Sequence, residues 1–153
     1  MIKFAFIFCA GLLLITGFAA PEGNCKLEYD GLYYSKIDSD YFAYIKFYED
    51  GTVLHTTSIE KIDEVTKFFT KEYKTNVLSG TYSFGKCNVA FNVFGKTGTM
   101  KFKGDLEGDT LYLKAANVQD HTSSEMKFAY YDPAYEASKT KQKTKVKPKS
   151  KSK

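Results

Sequence analysis

The chain predicts a mainly β protein. An eight-stranded antiparallel meander forms a barrel or a strongly curved sheet, with one amphipathic helix (about 58–72) between strands 3 and 4. Three observations predict this. Short aromatic or β-branched runs alternate with Gly and Asp turns. Two-residue turn signals set pairings that converge on one apolar row. The period changes from alternating to helical in a single stretch after the third strand.

The strands fall at about 32–35, 41–49, 52–57, 80–85, 87–94, 98–104, 109–116 and 123–131. Asp50-Gly51 is a strong hairpin signal. Read as a two-residue turn, it sets Glu49 opposite Thr52, Phe47 opposite Leu54 and Ile45 opposite Thr56. Lys96-Thr97 as a turn sets Val93 opposite Met100 and Phe91 opposite Phe102. Glu107-Gly108 as a turn sets Phe102 opposite Leu113 and Met100 opposite Ala115. The row Phe91–Phe102–Leu113 then crosses three strands, and a slip of one residue would send each side chain to the other face.

In TSIEKIDEVTKFFTKEY, apolar residues at Ile59, Ile62, Val65, Phe68, Phe69 and Tyr73 have helical spacing. Thr57 and Glu60 suit a capping box, Asp63 and Lys67 an i,i+4 pair, and Lys71 the negative C-terminal end. The apolar stripe is expected against the sheet or one mouth of a barrel.

The first twenty residues have the layout of a secretory signal. Lys3 supplies the positive start, Ile2 to Ile15 is otherwise apolar, and Gly17, Ala19 and Ala20 precede Pro21. The apolar run falls short of the about 20 residues that a bilayer helix needs. Cleavage after Ala19 or Ala20 is expected, leaving a secreted or periplasmic chain without a transmembrane segment. The organisation is then a signal peptide at 1–20, a β domain at 21–135 and a lysine-rich tail at 136–153, expected to be disordered. Cys9 leaves with the signal, and Cys25 and Cys87 remain as a disulfide pair for an oxidising compartment.

Charge divides the chain. All eighteen acidic residues precede Lys139, and thirteen lysines lie between Pro21 and Ser138, so the body carries about −5. Lys139, Lys141, Lys143, Lys145, Lys147, Lys149, Lys151 and Lys153 make the tail +8, and the chain has no arginine. Ammonium groups without guanidinium forks attract anionic polymers, glycans or headgroups with little geometric selectivity. No specific nucleic-acid recognition is expected.

The search for chemistry finds no catalytic pattern. The Asp50-Gly51 register sets His55 beside Lys46 on a polar face, and His121 lies in the polar stretch NVQDHTSS; neither has metal-ligand spacing. Asp105, Glu107 and Asp109 flank a turn and need no ion. Gly95-Lys96-Thr97 lacks the upstream glycine of a phosphate loop. No cofactor, no metal and no enzymatic activity are expected. Aromatics say more: twelve tyrosines and nine phenylalanines follow Pro21. Lys46 marks the solvent face of strand 2, which turns Tyr41, Ala43, Ile45 and Phe47 inward and Phe42, Tyr44 and Tyr48 outward. Tyr41, Ile45, Phe47, Leu54, Phe91, Phe102 and Leu113 are the candidate lining of a cavity for an apolar ligand.

Eight meandering strands behind a signal peptide, opened by Gly31-x-Tyr33, resemble the lipocalin-type small exported β-barrels over residues 27–131. Lipocalins usually carry tryptophan where Tyr33 stands, and their helix follows the last strand. The function expected is an exported β-barrel module holding a ligand, with a tail that attaches it to anionic surfaces. The alternative is a structural or adhesive envelope protein with a solid barrel, whose outward aromatics make the contacts.

Overall fold

The computed structural model describes residues 25–73, 75–96 and 98–138. The signal segment and the lysines of the tail lie outside them. Eight strands form a closed antiparallel barrel in chain order: β1 (Leu32–Lys36), β2 (Phe42–Phe47), β3 (Thr52–Ser58), β4 (Leu78–Gly85), β5 (Asn88–Gly95), β6 (Gly98–Glu107), β7 (Thr110–Asn117) and β8 (Ser123–Tyr131). A helix, α1 (Ile62–Phe68), lies between β3 and β4, and a second short helical stretch covers 133–138 after β8.

Closure runs through β1 and β8, where Tyr33 pairs with Tyr130 and Tyr34 with Ala129. Gly31 makes the approach possible, because a Cβ there would collide with the Tyr131 carbonyl oxygen. Tyr33 beside it points inward, and its hydroxyl oxygen accepts from the Glu28 amide at 3.2 Å.

The turns correct two of the three expected registers. β5–β6 pairs as expected, Phe91 with Phe102 and Val93 with Met100. The β2–β3 turn spans three residues, not two. The Gly51 amide donates to the Tyr48 carbonyl at 3.0 Å, the Tyr48 amide donates to that of Thr52 at 2.9 Å, and Gly51 has a φ of 84°. A tight turn followed by a left-handed glycine shifts the register by one. Phe47 therefore pairs with Val53, Ile45 with His55, and Lys46 with Leu54. His55 turns inward, and Leu54 outward.

The β6–β7 turn is centred on Gly108-Asp109, with Glu107 opposite Thr110. Phe102 faces Ala115, and Leu113 faces Gly104 instead of Phe102. The shift is two residues, so Leu113 keeps the inward face and is buried with Phe91 and Phe102.

The helix is shorter than expected and sits outside the barrel. β3 continues to Ser58, so Thr57 is held in a strand and the capping box does not form; the Glu60 amide bonds Ser58 Oγ instead. Lys67 pairs with Glu64 rather than Asp63, and the Asp63 carboxylate accepts from the Tyr131 hydroxyl. Val65 and Phe69 form a second core with Leu32, Tyr44 and Leu54 on the outer face of β1–β3. The Tyr44 hydroxyl donates to the Glu60 carbonyl at 2.7 Å. Lys71 pairs with Asp50 and lies 4.4 Å from the Tyr48 ring centre. The outward aromatics of β2 are thus covered by their own chain.

The start of β1, the end of β8 and the β2–β3, β4–β5 and β6–β7 turns share one end of the barrel. Residues 25–30 close that end. Leu27 is buried among the interior side chains, and Cys25 is disulfide-bonded to Cys87 with the Cα atoms 5.3 Å apart. Cys87 sits in the β4–β5 turn, where it and Lys86 both have positive φ. A link across 62 residues of sequence removes about 4 kcal/mol of unfolded-state freedom in the chain-entropy model.

Candidate functional site

The middle of the barrel is filled by rings in sequence. Tyr33 meets Phe47 at 5.7 Å between centres, Phe47 meets Phe91 at 5.5 Å, and Phe91 stacks on Phe102 at 4.7 Å. His55 ends the series, 5.0 Å from Phe102 and tilted 45° to it. Tyr82 fills the remaining side of Phe47 at 5.0 Å. Of the residues expected to line a ligand space, Ile45, Phe47, Phe91, Phe102 and Leu113 belong to this packed interior. Leu54 faces out beneath α1. Tyr41 precedes β2 and is half exposed.

Empty space begins one layer higher, toward the end opposite the disulfide. Ser35 pairs with Ala43 and Ala43 with Thr57, which makes one inward row of small side chains across β1–β3. Ala115 and Ser124 pair on the facing wall. Small residues at these positions leave what tyrosine and phenylalanine fill below. The result is a cavity of about 620 Å³, lined by Ser35, Ala43, His55, Thr57, Met100 and Met126, with further residues at its rim. That volume is within the roughly 300–1,000 Å³ range of small-molecule sites.

His55 is the polar group of its floor. It is 6% exposed, and Nδ1 is enclosed without a hydrogen-bond partner. Burial lowers its pKa to about 4, since the charged form would lose its hydration. Its strand partners are Ile45 and Leu78, so no charge sits directly across from it. At neutral pH the imidazole is uncharged, with one nitrogen accepting and one donating. The sequence reading misplaced this residue through the one-residue turn error. The signal that finds it is glycine at the third position of the turn, read together with the small residues that share its face.

Two other surface features stand out. On the outer face of the sheet, Lys103 pairs directly opposite Lys114, an arrangement that like charges disfavour. Both border a depression of about 560 Å³ with Lys101, Ser83 and Asn92. At the closed end, Glu28, Asp30, Asp109 and Asp132 surround a second one of about 550 Å³ beside Tyr130 and Tyr135.

Among the described residues, no group of three or more His, Cys, Asp or Glu side chains is placed to hold a metal ion. Among them too, no helix is long and apolar enough to cross a membrane. Comparison with known proteins gives no match: no protein-family model, no curated protein and no solved structure is similar enough to lend this chain a family.

Proposed function

We propose that the protein is an exported, non-enzymatic binding module, lipocalin-like in plan, that holds a small ligand in the open mouth of its barrel. The lysine-rich C-terminus attaches it to anionic surfaces. One observation carries the reading: a cavity of about 620 Å³ at one end of a barrel that is otherwise packed and is closed at the other. A barrel built only for rigidity gains nothing from small inward residues at Ser35, Ala43, Thr57 and Ser124. The adhesive alternative loses the aromatics of β2 as its contacts, since Tyr44 is buried beneath α1 and Phe42 and Tyr48 pack against the same cluster.

The test fills the cavity. Thr57 and Ser124 face inward by register yet are exposed, so a larger side chain there enters the mouth without disturbing the core. Nile red, an uncharged apolar dye, should bind the disulfide-bonded protein saturably, and Thr57→Phe with Ser124→Phe should abolish that binding at an unchanged melting temperature. Absence of saturable binding, or equal binding by the filled variant, would refute the reading.

A further inference from the structure

We infer that the ligand is an uncharged amphiphile, an apolar body carrying one hydroxyl or amide group that bonds the imidazole of His55. This rests on the barrel mouth being a binding site, and it adds the charge and the head group of what enters.

The charge follows from strand alternation. Of the cavity's lining, Ser35, Ala43, His55, Thr57, Met100, Ser124 and Met126 face inward, and none of them is ionised at neutral pH; Lys36, Glu125 and Lys127 line its rim. The charged residues at the rim alternate with these and point to the outer face. Glu125 pairs with Lys114 across the outer surface, and Lys127 lies 5.4 Å from the ring centre of Tyr112. Lys36 is exposed and pairs with Phe42. An ion entering the mouth would lose hydration and pass beyond the charges of Lys36, Glu125 and Lys127, which stay at the rim.

The head group follows from His55. Its ring forms part of the cavity wall; Nδ1 is enclosed without a partner, which is rare in folded proteins, and a ligand reaches it when the ring turns. A hydroxyl or an amide both donates and accepts, which matches either nitrogen of a neutral imidazole. The apolar body follows from the walls and the approach. Met100 and Met126 supply flexible, polarizable surface. Ile37, Tyr41, Ile59 and Val118 are 49%, 50%, 62% and 38% exposed, all on connections at the open end. Apolar side chains at that end suit a ligand arriving from an apolar phase.

Displacement of Nile red by three probes of equal chain length tests this at pH 7: 1-decanol, decanoate and decylammonium. Decanol should displace the dye at a concentration about 10-fold lower than either ion. His55→Leu should narrow that preference, weakening decanol by about 3- to 10-fold, the worth of one buried neutral hydrogen bond. If Nile red binds but decanoate or decylammonium competes as well as decanol, the inference fails while the binding reading stands. If Nile red does not bind, both fail. Should His55→Leu not fold, the ranking of the three probes on the unmutated protein decides alone.

Discussion

At the scale of single residues, His55 carries the most consequence. Its usual pKa of 6.5 falls to about 4 because the folded chain surrounds the ring and offers it no counter-charge. The unfolded chain therefore takes up a proton first as the pH falls. The contribution of the neutral ring to stability is complete above about pH 6.5, declines between 6.5 and 4, and is gone below 4. Integrated over that window the loss is about 3 kcal/mol. Urea midpoints at pH 7, 5.5 and 4.5 should fall in turn, and His55→Leu should flatten most of that slope. An equal slope in the variant would mean that other groups set it. Tyr33 illustrates the opposite sign of charge under the same cause: burial pushes its hydroxyl up to about 12, far from this window. Asp50 is held down to about 2 by Lys71 and the hydroxyl and amide of Thr52, so its titration comes below that of the histidine.

Elements were legible where a local signal decides them and illegible where a turn admits two lengths. Alternation located all eight strands, and Gly95 opposite Gly98 gave the β5–β6 register without error. Asp50-Gly51 admits a two-residue or a three-residue turn, and a positive φ at Gly51 but not at Asp50, with the bonds of Tyr48 to Thr52 and Gly51, distinguishes them. An odd error inverts a strand, which is why Leu54 and His55 exchanged faces. An even error does not, which is why Leu113 stayed inside although its partner changed from Phe102 to Gly104. The helix was legible as a stripe, Val65 and Phe69, but not in its ends, because β3 holds Thr57 and Ser58 in the sheet. Where the stripe would pack was legible as two alternatives, the sheet or a mouth, and it covers the outer face of the sheet. That placement gives a prediction for the element. Phe69 is fully buried against Tyr44 and Leu54, so Phe69→Ala should cost about 3 kcal/mol in chemical denaturation. Ile59→Ala, at a side chain 62% exposed, should change stability by less than about 0.5 kcal/mol. Comparable small effects at both positions would mean that α1 is not docked.

Across the whole molecule, the two ends of the barrel differ: one is closed by residues 25–30 and the Cys25–Cys87 disulfide, and the other opens into the cavity. β8 ends at the closed end, where a helical turn over residues 133–138 begins. Its start is well defined: Pro133 occupies the first helical position, and the Asp132 carboxylate accepts from the amides of Ala134 and Tyr135. Tyr135 and Glu136 lie beside Glu28, Asp30 and Asp109. The last described residues therefore follow from the end of the barrel opposite the cavity. The body is about −5 and is repelled by an anionic surface, whereas residues 139–153 carry +8. Deleting 139–153 should abolish retention on a sulfonate matrix at low ionic strength. Retention of the full chain should itself collapse as salt rises past about 0.15 M, where the screening length falls to about 8 Å. The melting temperature should not move. A body basic at Lys101, Lys103 and Lys114 competes as the source of attraction. If the truncated protein is still retained, replacing those three lysines with glutamine should release it, and the outer face of the sheet, not the C-terminus, would then be the attachment surface.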